Sequence, residues 1–218
     1  MAEFINERVS FPNLVEPTPN RDFPNSPAKY SVTLLMDPNS KGFKDFMADA
    51  QQQAVAKWKE HAPNIINLIQ SQRNLRCFGR GEEALTKTGA MRNGYAGKIY
   101  LSANSDANHP PVMLTRDANG VLKHVPEYER AEYAKRIYGG CRINAVITPW
   151  LQDNAAGKAI RANLLFVEFA RDDEPLGDTT VQVDLNSLFG GPVAPAPASP
   201  TAAVPGGLNF PGLPSFLS

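Results

Sequence analysis

The residue types that ordinarily perform catalysis are present in this chain but are not arranged for it. His61, His109 and His124 each stand alone, with no HExxH run and no His/Cys spacing of the kind that holds zinc. Gly89 and Gly94 imitate the two glycines of a phosphate loop. Tyr95, however, stands where the lysine of GxxxxGK belongs, and Ile99 follows Lys98 where a serine or threonine belongs. No GxSxG turn occurs. Asp172, Asp173 and Glu174 form a linear acidic run, a pattern that is ordinarily solvated. The chain reads as a non-enzymatic protein with no metal and no cofactor.

Cations and aromatic rings are a different matter. In GGCRINAVITPW, residues 139–150, the period of a strand points Cys141, Ile143, Ala145 and Ile147 one way. Arg142, Asn144, Val146, Thr148 and Trp150 point the other way, and no core needs such a face. Residues 98–103 repeat the split, with Ile99, Leu101 and Ala103 opposite Lys98, Tyr100 and Ser102. Residues 73–98 concentrate Arg73, Arg76, Arg80, Lys87, Arg92 and Lys98 against only Glu82 and Glu83, and add Phe78 and Tyr95. Single-stranded nucleic acid is held by cations that track phosphates and by rings on which bases stack. The candidate contacts are therefore Arg76, Phe78, Arg80, Arg92, Tyr95, Lys98, Tyr100, Arg142 and Trp150. The competing reading packs Tyr100 and Trp150 beneath a helix and leaves the arginines to solvate a face.

Bulk composition does not choose between them. Lys plus Arg number 22 and Asp plus Glu 22, so only local charge can mark a nucleic-acid surface. The first residues, MAEFINERVS, are charged where a signal peptide needs an apolar core, and no run of eighteen apolar residues predicts a membrane span. Cys77 and Cys141 fit a reducing compartment better than a disulfide framework. These features predict a soluble intracellular protein.

The elements that must position the candidate residues are mostly strands. Val9 and Phe11 alternate with polar neighbours, and residues 29–36, KYSVTLLM, are rich in strand formers. Five prolines in residues 12–27 predict an irregular span between them. Asp37-Pro38-Asn39-Ser40 opens an amphipathic helix carrying Phe43, Phe46, Met47, Ala50, Ala54, Val55 and Trp58 on its apolar side. Pro63 is expected to end it, with a weaker helical piece from Ile65 to Ile69. Glycines at 79, 81, 89, 94 and 97 predict a mobile loop. A turn at Asp117-Ala118-Asn119-Gly120, a short helix after Pro126, and a long strand from Ile160 to Phe169 follow. Together these predict a small β-barrel or sandwich with inserted helices.

Two stretches carry a family likeness: RVSFPNLVEP with AKYSVTLLMD, residues 8–17 and 28–37, and IYGGCRINAVITPWLQDNAAGKAIRANLLFVEFARDDEPLG, residues 137–177. With the helix ending at Trp58 and the YAGKIYLSANS segment, the chain resembles the single-stranded-DNA-binding proteins of tailed phages over most of residues 5–180. The resemblance implies a mainly β protein with inserted helices, built on a five-stranded OB-fold barrel. It implies coating of single-stranded DNA during phage DNA replication or recombination, in the cytoplasm of the infected host. The alternative is a virion or assembly protein whose β-domain binds protein partners.

The domain is expected over residues 1–184. From Leu185 to Ser218 no charge occurs, while seven prolines and five glycines fall in 34 residues, so a disordered tail is expected. Many replication proteins of this kind end in an acidic tail, but here the acids lie at 172–184. Phe210, Phe216 and Leu217 are the tail's apolar anchors, suited to docking phage replication or recombination proteins.

Overall fold

The structure, a computed structural model, describes residues 1–19 and 25–177. The expected disorder of residues 185–218 and the anchors Phe210, Phe216 and Leu217 lie outside the described residues.

Eight strands are present: β1 (Ala2–Thr18), β2 (Lys29–Met36), β3 (Phe78–Arg80), β4 (Ile99–Asp106), β5 (Val112–Arg116), β6 (Leu122–His124), β7 (Arg142–Asn154) and β8 (Gly157–Arg171). They pair in the order β3-β4-β2-β1-β7-β8-β5-β6, and β4 additionally meets β8. That extra contact closes β1, β2, β4, β8 and β7 into a five-stranded ring, the expected OB-type barrel. The ring is antiparallel except at its closure, where Asn104 pairs with Asn163 in parallel. β5 and β6 extend the sheet beyond the ring, and the turn at 117–120 joins them as the sequence predicts.

The barrel interior follows the strand alternation. Phe4, Val9, Val32, Leu34, Leu101, Ile143, Ile147 and Leu164 are all buried. Helix α1 (Lys41–Trp58) lies against β1 and β7. It starts at Ser40, whose Oγ accepts the Phe43 N–H at 3.3 Å, and buries Phe43, Phe46, Met47, Ala50, Ala54 and Trp58. Val55 is instead exposed, because it falls just off that stripe. Pro63 does not end this helix. The chain leaves α1 through Lys59, whose φ is 49°, and Pro63 occupies the first turn of α2 (Ala62–Ser71), where a missing N–H costs nothing. Helix α3 (Arg130–Lys135) packs on β1 and β5.

Two further expectations are corrected. The proline-rich span is not irregular from residue 12, since β1 continues to Thr18. Its register against β2 slips between Ser10 and Asn13 and again between Asn13 and Thr18. Pro12 and Pro17 fall inside those slips, where no ladder N–H is demanded. Residues 73–98 are not a loose loop either. They hold β3, short 3-10 turns at Arg73–Leu75 and Gly81–Glu83, and a bridge between Leu85 and Met91. Glycine serves close approach here: a Cβ on Gly81 would stand 1.7 Å from the Tyr95 carbonyl oxygen.

Candidate nucleic-acid interface

On the outer side of β1, β2 and β4 the cross-strand pairs are Leu35 with Tyr100, Thr33 with Ser102, and Ser31 with Asn104. The strand period gives these positions to one face. The Thr33 and Ser102 hydroxyls lie 2.9 Å apart, and the face runs into a hollow of about 440 Å³ lined by Lys29, Ser31 and Asn104 beside the β1–β2 connection. Thr33, Ser102, Ser31 and Asn104 make a strip of hydroxyls and amides, while the Leu35–Tyr100 end of the same face belongs to a small buried apolar cluster with Ala84 and Tyr95.

Residues 73–98 rise over one side of that face and bring rings and guanidinium groups together. The Tyr95 hydroxyl donates to Ser10 Oγ at 3.0 Å, clamping the basic segment to β1. Tyr95 and Tyr100 have ring centroids 6.3 Å apart. The Arg73 guanidinium lies 5.9 Å from the Tyr100 ring centroid, and that of Arg92 lies 4.7 Å from the Phe11 centroid. Among the described residues the partner of each of these two cations is a ring, not a carboxylate. Such a contact at an exposed site holds a side chain by about 0.5–1 kcal/mol. The next residue, Asn74, accepts through its carbonyl from Arg161 Nη1 at 3.0 Å, and Arg161 stands directly across the ladder from Trp150. Trp150 is 37% exposed. Arg92, Arg73 and Arg161 thus form a trail with an open ring at each end, Phe11 and Trp150, and with the buried rings of Tyr95 and Tyr100 between them.

A strap, residues 172–177, closes over the Tyr95 and Tyr100 rings. Leu176 donates its N–H to the Gly139 carbonyl at 2.7 Å and packs on Leu35, Ala84, Tyr95 and Tyr100. The seat is shaped for backbone: a Cβ on Gly140, whose φ is 115°, would meet the Glu174 carbonyl oxygen at 2.2 Å. Arg142 Nε donates to Asp173 Oδ2 at 2.6 Å and its Nη1 to the Asn6 carbonyl at 2.9 Å. The bond to Arg142 holds the Asp173 carboxyl below its ordinary pKa. Burial pushes the Glu7 carboxyl up to about 7, against the pull of Arg142 and Lys98.

The residues singled out from sequence divide accordingly. Arg92, Lys98 and Trp150 lie along the trail at least partly exposed, whereas Tyr95 and Tyr100, 3% and 8% exposed, are packed beneath Leu176 and present no open ring face. Phe78 is 1% exposed and packs edge-on against Phe43 and Phe46, with centroids at 5.7 and 6.4 Å, so its ring is core and presents no face to a base. Arg76 is tied to Glu83 at 2.8 Å and to the Phe78 carbonyl at 3.0 Å, and Arg80 is half-buried beside it. Arg142, at the start of β7, is tied to the strap through Asp173. Arg73, Arg161 and Phe11 escaped the sequence reading. Arg73 is visible in the sequence as charge, but Phe11 alternates with polar neighbours in step with the buried Val9, an alternation that the slip after Ser10 breaks.

Cys77 and Cys141 are both buried and unpaired, and burial pushes their thiols up to about 12 and about 11, so they are inert at neutral pH. Among the described residues no three His, Cys, Asp or Glu side chains gather as a metal site, and no helix is long and apolar enough to cross a membrane.

Residues 4–186 match the family model described as the ssDNA-binding protein of Enterobacter phage Enc34. The chain is similar to the solved single-stranded DNA-binding protein from bacteriophage Enc34 in complex with ssDNA. The identity is 28% and the TM-score 0.58, over 80% of this chain and 88% of that one. It is similar also to a second solved structure of the single-stranded DNA-binding protein from bacteriophage Enc34, at 28% identity and a TM-score of 0.54, over 82% of this chain and 85% of that one. No curated protein matches the chain.

Proposed function

The chain belongs to the family of the Enterobacter phage Enc34 ssDNA-binding protein, and we propose that it is a non-enzymatic, sequence-tolerant single-stranded-DNA-binding protein. It acts in phage DNA replication or recombination, in the cytoplasm of the infected host. The observation that carries this reading is the trail of cations Arg92, Arg73 and Arg161, ended by the open rings of Phe11 and Trp150, beside the polar strip of β2 and β4. In OB barrels the second and third strands, with the loops flanking them, are the surface that takes oligonucleotides, and β2 and β4 hold those places in this barrel. Rings without base-specific hydrogen-bond partners suit any sequence, because every base has a face to stack.

The interface comprises Arg92, Lys98 and Trp150, with Tyr95 and Tyr100 packed beneath it and Arg76, Arg80 and Arg142 supporting it from behind and beside. Lys98 and Arg92 supply charge for phosphates, and Trp150 supplies an open ring. The binding domain spans residues 1–184. Residues 185–218 form a docking tail in which Phe210, Phe216 and Leu217 engage phage replication or recombination proteins.

Titration of a fluorescent oligothymidylate at several salt concentrations tests the reading. Affinity is expected to fall log-linearly with salt, at a slope of about −0.7 per neutralised phosphate. Absence of salt-dependent binding would return the chain to the virion or assembly reading. Truncation after Asp184 is expected to leave the intrinsic affinity nearly unchanged and to abolish co-purification with the phage replication machinery. A several-fold change in affinity would place the tail in the DNA contact instead.

A further inference from the structure

Phe11 is an unusual residue for the surface of a strand. It is 58% exposed, although α1 and the barrel interior offer apolar burial nearby. Its φ is 49°, a left-handed conformation that a bulky side chain adopts only at a cost in free energy. The strand slips register there, between Ser10 and Asn13, and Pro12 follows directly. On its amino-terminal side Ser10 is pinned by the Tyr95 hydroxyl at 3.0 Å. The backbone is thus held, against its preference, in an arrangement that leaves this ring exposed. Local strain retained at such a position is a mark of a site rather than of a packing solution.

The ring is also oriented. Arg92 lies 4.7 Å from its centroid, and among the described residues this guanidinium has the ring and not a carboxylate as its partner. The cation therefore backs the ring while keeping its charge available to a phosphate.

We infer that Phe11 is a base-stacking residue at the β1 end of the trail, and that Arg92 is its positioning residue. A base lies on the open side of the Phe11 ring, and Arg92 meets the phosphate beside it. The assignment rests on the single-strand reading above and extends it to a residue on the first strand, beyond the β2–β4 face.

Four variants and one spectroscopic probe test it. Phe11→Ala is expected to lose affinity for oligothymidylate on the order of tenfold with the salt slope unchanged, because stacking carries no counterion. Phe11→Gly is expected to lose the same affinity while melting at or above the parent temperature, because glycine accepts the left-handed backbone. Arg92→Ala is expected to flatten the slope by about 0.7, and Arg92→Lys to restore it. In Phe11→Trp, affinity is expected to persist and the new indole emission to be quenched as DNA is added, measured as a difference from the parent protein. Parent-like affinity in both Phe11→Ala and Phe11→Gly would overturn the assignment, as would an unquenched Phe11→Trp. Lower melting together with lower affinity in Phe11→Gly would make Phe11 merely structural. Failure of the parent protein itself to bind single strands would sink the function reading, an outcome distinct from parent binding with indifferent Phe11 variants.

Discussion

Arg92 and Arg142 carry the same guanidinium on two segments that both meet residues 172–177, and their surroundings could hardly differ more. Arg142 is met by the Asp173 carboxylate and a backbone carbonyl, and the Asp173 segment is seated on glycines shaped to receive it. Arg92, like Arg73, is met by an aromatic face. A cation already neutralised by a hydrogen-bonded carboxylate has little to offer a phosphate, since binding one would first break the other. A cation resting on a ring gives up little when it turns to a phosphate. The strap side is thus built for cohesion, and the ring side is built for exchange with a ligand.

That contrast can be broken in several ways, beginning with the ring that belongs to neither side. Phe78→Ala is expected to destabilise the fold by about 3–5 kcal/mol, as for a large core ring, while the folded fraction binds DNA normally. A chemical denaturation curve beside a titration separates the two quantities. Trp150→Ala is expected to do the converse, losing roughly 1–3 kcal/mol of single-strand affinity at parent-like stability. Early melting of that variant would move Trp150 from the ligand trail to the core.

Arg142→Ala sharpens the strap side. Loss of a charge-assisted bond of this kind is expected to lower stability by about 1.5 kcal/mol and to leave the salt slope of DNA binding in place. A flatter slope would return Arg142 to the phosphate-tracking set.

The smallest effect concerns Glu7. Its carboxyl is raised from 4.5 to about 7 by burial, so the folded state binds the proton more tightly than the unfolded state does. Stability attributable to this group is therefore present below about 4.5, declines as pH rises through that window, and is fully lost above about 7. Glu7→Gln is expected to leave melting unchanged at pH 4 and to raise it at pH 8. Equal gains at both pH values would mean that charge at Glu7 is irrelevant.

The strand-borne part of this molecule was legible because alternation is a local signal. Cys141, Ile143, Ala145 and Ile147 point inward and Trp150 outward, as their period requires. The closed OB-type barrel came from family resemblance, since periodicity alone went no further than barrel or sandwich. What local signals missed was set by distant partners or by backbone exceptions. Tyr100 has the right period for an outward ring, yet Leu176, far along the chain, packs on its cluster. The glycines of residues 73–98 resembled a flexible loop because composition does not distinguish freedom from close approach. Phe11 was hidden by a slip in register, which reverses every later inside-outside assignment and leaves no compositional trace.

The ring of strands is completed by one residue pair, Asn104 with Asn163, whereas the β7–β8 ladder runs from Arg142 and Arg171 to the hairpin tip. A cylinder joined so narrowly behaves as a curled sheet with a latch. Deuterium uptake at the amides along this closure is expected to precede uptake along β7 and β8, because opening there sacrifices few bonds. Asn104 also lines the hollow beside the β1–β2 connection. A strand of DNA lying in that hollow would touch the latch itself, so ligand binding and barrel closure would be measured by the same exchanging protons.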